Sequence, residues 1–220
     1  LKRIWKICKK YDVLYISDEV VTGFGRIGHF FSSEEVFEIV PDIITSAKGI
    51  TSGYMPLGAV LFSDKLLSDI KKESAMFFHG YTYSGHPACC AAALKNIEII
   101  KRDKILEHVQ EIEPYFHKKL KKLYELPIVG DVRGKGLMAG IECVIDKDSK
   151  EALVLDKAIG SRIDEESIRL GLIIRPLYHI CVLSPALIIT KSQIDTLVDK
   201  LYIAIENSLK QIKIEGIWKR

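Results

Sequence analysis

The 220-residue sequence is short of the features that most quickly narrow a function. Its five cysteines (Cys8, Cys89, Cys90, Cys143, Cys181) form an odd set without a C-x-x-C pair, so neither a disulfide framework nor a zinc site is expected. The six histidines lack ligand spacing, with His79 and His86 seven apart and the rest solitary, and no metal is assigned. Long apolar runs are missing too: residues 170–174 and 180–183 stop far short of the ~20 that a membrane span requires. A soluble protein with no membrane partner is expected, and unpaired thiols suit a reducing cytoplasm. Charge of one sign is also lacking, since 32 basic against 29 acidic residues leave +3, too little to argue for nucleic acid. The densest basic run, HKKLKK over 117–122, lies on a helical pattern with Leu120 and Leu123 facing inward, as on a solvated helix face. An initiating Met and a targeting segment are absent as well. A chain opening directly on LKRIWKICKK reads as a piece of something longer.

What is present is an ordinary globular composition, 48% hydrophobic and 28% charged, enough to bury a core. The first half alternates strand and helix signals in the manner of an α/β domain. Residues 1–11 have helical periodicity, and 13–17 (VLYIS) read as a strand buried on both faces. A helical turn is expected at 34–37, strands at 43–46 and 58–63, and a helical pattern from Pro87 to Glu125, interrupted near 101–103. Antiparallel strands are expected over 128–133 and 137–144, then a helix over 152–170 closed by Gly171. Strands over 172–175 and 180–183 flank a turn holding Pro176, and a last helix runs from about 191 to 210 with Thr190 as N-cap. With no internal repeat, the simplest division is two α/β parts, 1–105 and 106–220.

Two motifs mislead. Residues 23–28 (GFGRIG) match G-x-G-x-x-G, but Asp18 to Thr22 intervene after the strand and no long helix opens at Gly28, so a dinucleotide site is not supported. His86-Pro87-Ala88-Cys89-Cys90 lacks the H-x-E and P-C-x-x-C spacing of zinc deaminases. What remains is a polar set at strand ends. Asp18 and Glu19 follow VLYIS, and the carboxyl end of a strand is where α/β sheets bind ligands. Alone, Asp18 reads as a carboxylate capping a loop. Lys48 stands between Ala47 and Gly49 after the next strand, and burial among small residues would lower its pKa toward the free amine that attacks a carbonyl. Together the two make a chemical proposal: an aldehyde cofactor held as a Schiff base on Lys48, with Asp18 paired to a ring nitrogen that must stay protonated. That describes pyridoxal 5′-phosphate.

The segments ISDEVVTGFGRIG (16–28), PDIITSAKGITSGYMPLG (41–58) and HGYTYSGHP (79–87), in this order and spacing, closely resemble the class III aminotransferases of the fold-type I pyridoxal-phosphate enzymes. The resemblance implies an incomplete large domain with a mixed, mostly parallel sheet and helices over 1–105, and a small α+β C-terminal domain over 106–220. It implies Asp18 as partner of the pyridinium nitrogen, Val20 as the aliphatic residue on the ring face, and Lys48 as the Schiff-base lysine that shuttles the substrate proton. It further implies a homodimer in which Thr82 donates to the phosphate of the neighbouring subunit's cofactor. By itself Thr82 would read as a loop residue in a local turn. Glu19 and Arg26 match the pattern as supporting residues.

The C-terminal part refines the subclass. Val182 in CVLSPAL (181–187) occupies the position of the arginine found in family members acting on α-amino acids such as ornithine. Instead, Arg175 precedes Pro176 in LIIRPLYHICVLSPALIIT, which resembles ω-amino acid and amine:pyruvate transaminases. There the arginine swings in to bind a carboxylate and out to admit an uncharged amine, a role suited to a bidentate guanidinium. A surface ion pair is the plainer reading of Arg175. The expected activity is transfer of an amino group from a primary amine or ω-amino acid to a keto acid such as pyruvate. The alternatives are a mutase or racemase of the same family, or a non-catalytic fragment lacking the phosphate loop and ring-stacking aromatic that the family carries N-terminally.

Overall fold

The computed structural model describes residues 1–72, 78–149, 151–152 and 158–218. The chain forms two compact units, Leu1–Glu107 and His108–Arg220.

In the first unit the amphipathic opening run forms α1 (Lys2–Lys10). It is tied to the strand after it through Asp42, whose carboxylate accepts from Lys9 Nζ at 2.7 Å and from the Tyr15 N–H at 2.9 Å. Strand β1 (Ile16–Asp18) pairs in parallel with β2 (Ile43–Ser46), and β2 pairs antiparallel with β3 (Ala59–Phe62). The short helix α2 (Ser32–Glu35) lies between β1 and β2 in sequence, and a 3-10 turn, Lys48–Thr51, follows β2. Helices α3 (Asp64–Lys72) and α4 (Pro87–Arg102) complete the unit. Its core gathers Phe24, Ile50, Ala93 and Ile100, with Phe30 and Phe31 set edge-on to Phe24 at centroid separations of 6.0 and 5.6 Å.

Two expectations change here. The first strand begins at Ile16 rather than residue 13 and takes in Asp18. It is also not buried on both faces: Val13, Leu14 and Ile16 are each more than half exposed. An apolar run marks a strand that a second layer covers, but β1 is the edge of this sheet and no described element of the unit lies over those side chains. Helix α3 was hidden by its short polar sequence, although the Ser63 hydroxyl, accepting from the Leu66 N–H at 3.3 Å, is an N-terminal signal.

The second unit is an antiparallel sheet in the order β4-β5-β8-β7, with helices packed on it. Its strands are β4 (Val129–Lys135), β5 (Met138–Asp146), β7 (Arg175–Leu177) and β8 (Ile180–Leu183), with the two-residue β6 (Glu151–Ala152) added to β5. Helices α5 (Ile105–Leu120), α6 (Ile159–Arg169) and α7 (Lys191–Ile214) bury stripes at helical spacing. Val109, Ile112, Phe116 and Leu120 line α5, and Ile194, Val198, Leu201, Ile205 and Ile212 line α7; all join one core. Leu123 is buried beside Leu120, as the HKKLKK pattern requires. Thr190 caps α7 in a reciprocal box with Gln193. Gly171, at φ +73°, closes α6: its N–H donates to Ile168 O at 2.9 Å and the Leu172 N–H to Ser167 O at 2.8 Å, the paired bonds of a left-handed glycine stop.

The helix expected from residue 152 is corrected, because Ala152 pairs with Val144 as strand and α6 starts at Ile159; residues 153–157 of that expectation lie outside the described residues. Pro176 lies within β7, opposite Cys181, and not in a turn. An edge strand can hold a proline because the missing N–H faces away from the ladder.

The Asp42 tie generates a stability prediction. Burial pushes the Asp42 carboxyl up, but hydrogen bonds from Lys9 and Tyr15 and the charges of Lys9 and Lys65 outweigh it and leave the group below its ordinary value. A depressed folded pKa adds stability that is complete above the unfolded value, about pH 4, and is lost as pH falls through the folded value. Asp42→Ala should therefore lower stability by about 1–3 kcal/mol at neutral pH, read as a drop in the urea midpoint. The gap to the parent protein should shrink on acidification below about pH 4.

Candidate active site

The parallel register sets Asp18 opposite Thr45, so the carboxyl ends of β1 and β2 lie side by side, where a doubly wound sheet opens for a ligand. Asp18 is exposed and its Oδ1 accepts from the Val20 N–H at 3.0 Å, with Val20 half-buried just beyond. Three residues past Thr45 the chain enters the 3-10 turn at Lys48, whose φ is +42°. Lysine rarely takes this left-handed conformation, and such backbone persists only where its surroundings impose it.

Those surroundings are visible. The Ile50 N–H donates to Ala47 O at 3.0 Å and the Gly53 N–H to Lys48 O at 3.2 Å. From α4, Asn96 Nδ2 donates to Gly49 O at 2.8 Å and Ile50 O at 3.1 Å. A Cβ on Gly49 would come within 2.9 Å of Phe24 Cβ and 3.0 Å of Gly23 O. This explains a correction to the sequence reading: Lys48 is exposed, not buried. The small residue after it serves close packing of the turn rather than enclosure of the amine.

Behind Asp18 sits Glu19, fully buried. Its carboxylate accepts from the Ser32 hydroxyl at 2.7 Å, the Ser33 N–H at 2.7 Å, the Ser33 hydroxyl at 2.6 Å and the Thr22 hydroxyl. Burial pushes this carboxyl up, and the hydrogen bonds from Ser33, Thr22 and Ser32 together hold it below its ordinary value. Arg26 lies in the same loop, where burial lowers its pKa. The G-x-G-x-x-G segment folds back on itself, the Phe24 N–H donating to Phe30 O at 2.8 Å and the Gly25 N–H to His29 O at 3.0 Å, and no helix opens at Gly28.

Thr82 is exposed in a turn before α4 that is closed by the Ser84 N–H donating to Tyr81 O at 2.9 Å and the Tyr81 N–H donating to the Ser84 hydroxyl at 3.0 Å. Arg175 belongs to the second unit and opens β7, exposed on the sheet. Cross-strand partners run Arg133–Gly140–Val182–Arg175, so the two arginines share one face. They differ in charge balance. Arg133 is paired with Asp131 at 2.9 Å and with Glu142, whereas no carboxylate among the described residues pairs with Arg175, so the surface ion pair is not seen there. Sequence reasoning missed Asn96 and the Ser32, Ser33 and Thr22 hydroxyls. Asn96 had a signal, being a polar residue on the stripe of Cys89, Ala93 and Ile100.

The carboxylate of Asp18 and the amine of Lys48 thus follow neighbouring parallel strands. The family described as Aminotransferase class-III matches residues 1–205, and the chain belongs to it. It is 41% identical to the adenosylmethionine-8-amino-7-oxononanoate aminotransferase of Methanocaldococcus jannaschii, over 94% of this chain and 46% of that protein. It is 42% identical to the putrescine–pyruvate aminotransferase of Pseudomonas aeruginosa, over 89% of this chain and 42% of that protein. Among solved structures it resembles an (S)-enantioselective omega-transaminase from Thermomicrobium roseum at 41% identity and a TM-score of 0.89, over 94% of this chain and 46% of that one. It also resembles an aminotransferase from Vibrio fluvialis in its PMP-bound form, at 38% identity and a TM-score of 0.87, over 94% and 46%. The fold is thus that of the transaminases, and the chain spans less than half the length of these relatives.

The turn that carries Lys48 yields two opposite predictions. Asn96→Ala removes the side-chain donor from the Gly49 and Ile50 carbonyls, of which Gly49 O keeps the Ser52 N–H at 3.2 Å, and should destabilise the protein by about 1–3 kcal/mol. The Ser46 hydroxyl, just before the turn, is buried with no partner among the described residues. Ser46→Ala should therefore be neutral or stabilising by up to about 1 kcal/mol. Urea unfolding of both variants checks the pair.

Proposed function

We propose that the protein carrying this chain is a pyridoxal-phosphate-dependent transaminase that moves an amino group from a primary amine or ω-amino acid to a keto acid such as pyruvate. The observation that carries this reading is the placement of a carboxylate, Asp18, and an amine, Lys48, at the ends of paired parallel strands in a chain of this family. The donor set fits the cofactor: a carboxylate for a protonated ring nitrogen, an exposed primary amine for an aldehyde, and a half-buried aliphatic side chain for a ring face.

When bound, pyridoxal 5′-phosphate supplies an electron-withdrawing ring conjugated to a carbon that accepts the amino group. Asp18 holds the proton on the ring nitrogen through its carboxylate, because a charged acceptor favours the protonated base. Val20 packs its side chain against the ring. Lys48 would hold the cofactor through Nζ, and the same amine would carry the proton to and from the substrate carbon. The left-handed turn fixes where that amine starts, and Asn96 braces the turn. Thr82 donates its hydroxyl to the phosphate of a neighbouring subunit's cofactor, so the working form is a homodimer. Arg175, free of a carboxylate partner among the described residues, offers its fork to the carboxylate of the keto acid or ω-amino acid. A cytoplasmic location is proposed with this: the five cysteines are unpaired, and no helix among the described residues is long and apolar enough to cross a membrane.

Two variants test the proposal. Lys48→Ala should abolish the cofactor that borohydride fixes to the protein and should lower kcat by at least about a hundredfold. Retention of both by the variant would refute the assignment. Arg175→Ala should lower kcat/KM for the keto acid by about 10–100-fold while changing use of an uncharged amine little. Equal losses for both substrates would remove Arg175 from the substrate site.

A further inference from the structure

Glu19 is the most completely bonded residue of the candidate site, and no role in the proposed reaction uses it. Its N–H donates to Thr45 O at 2.9 Å, its C=O accepts from the Gly23 N–H at 2.9 Å, and its buried carboxylate accepts from Ser32, Ser33 and Thr22. Along an extended strand successive side chains point to opposite faces. Ser17 and Glu19 therefore share one face and both reach the same hydroxyl: Ser17 Oγ lies 2.7 Å from Ser33 Oγ, and Ser33 Oγ donates to Glu19. Asp18 falls on the other face, and it is the exposed member of the set while Glu19 is enclosed. The direction of Asp18 is thereby fixed from behind, by the anchoring of its two neighbours.

We infer that Glu19 is a positioning residue for the cofactor: clamped to residues 22–33 by its carboxylate and to β2 by its N–H, it sets the direction in which Asp18 presents its carboxylate. This rests on the reading of Asp18 as the partner of the ring nitrogen. The physical case is one of geometry and charge. A carboxylate accepting from three hydroxyls and an amide has its orientation fixed by several bonds, whereas the Asp18 carboxylate accepts from the Val20 amide. Loss of the Glu19 charge replaces an acceptor oxygen by an NH₂ that must face donors, so the clamp opens at the residue next to Asp18. The hydroxyls come from Thr22 and Ser32–Ser33, and the loop between them folds back through its own backbone bonds, which makes the clamp a closed local unit.

The experiment is a double-mutant cycle on the dissociation constant for pyridoxal 5′-phosphate, measured with the full-length protein. Expected are a weakening by Asp18→Asn, a weakening of about tenfold by Glu19→Gln in the parent, and less than about twofold by Glu19→Gln on top of Asp18→Asn, a coupling of ~1 kcal/mol or more. Equal weakening by Glu19→Gln in both backgrounds, or none in the parent, overturns the inference and leaves the Asp18 reading standing. An unchanged constant for Asp18→Asn alone overturns that reading and the inference with it, and is recognised because the failure appears in the single variant. Should Glu19→Gln not yield folded protein, Ser33→Ala removes one donor and should reproduce the pattern at about threefold, with additivity again counting against the inference.

Discussion

Parallel pairing of β1 with β2 is the constraint on which the candidate site depends. An antiparallel pair would send the end of one strand toward the start of the other, and the residues following them would lie at opposite edges. The parallel register instead sets Asp18 against Thr45 and brings the two exits together. It is reinforced at the exit itself, where the Glu19 N–H extends the ladder to Thr45 O. Val20 and Lys48 both follow within three residues of that last pair. The strained turn at Lys48 on one side and the hydroxyl clamp of Glu19 on the other are ways of stopping two strand ends from fraying into ordinary loop.

The second unit is built on a different balance. Its core is large and continuous, with three helices and one sheet face closing on each other. The opposite face carries charge that is mostly settled internally, Arg133 lying between Asp131 and Glu142, and His179 standing 3.4 Å from Glu142. Arg175 stands apart from that settlement. Among the described residues no carboxylate pairs with its guanidinium, which contrasts with the doubly paired Arg133 on the same face.

Much of this was legible from residue order, and the remainder was hidden for identifiable reasons. Strand ends at Asp18 and near Lys48, the cap at Thr190, the stop at Gly171 and the inward Leu120 and Leu123 are local features, each decided within a few residues. What could not be read locally was burial. VLYIS carries the composition of a covered strand, yet half of it is exposed because burial depends on a second layer rather than on the strand. The exposure of Lys48 and the Asn96 brace likewise depend on α4 arriving some 47 residues later in the chain. The Glu19 clamp draws its donors from three to fourteen residues downstream, and no periodicity announces such a set. Pro176 misled in the usual direction, since proline argues for a turn until the strand is known to be an edge.

That edge position bears on time as well as shape. A residue preceding proline is confined to extended backbone, and Arg175 is further held by its pairing with Val182. The main chain beneath the guanidinium is therefore a fixed post, and the exposed side chain is what moves. Rotamer exchange of an exposed side chain takes picoseconds to nanoseconds, whereas a loop rearrangement takes nanoseconds to microseconds or longer. An arginine mounted in this way reorients on a far shorter timescale than any rearrangement of the loops around it.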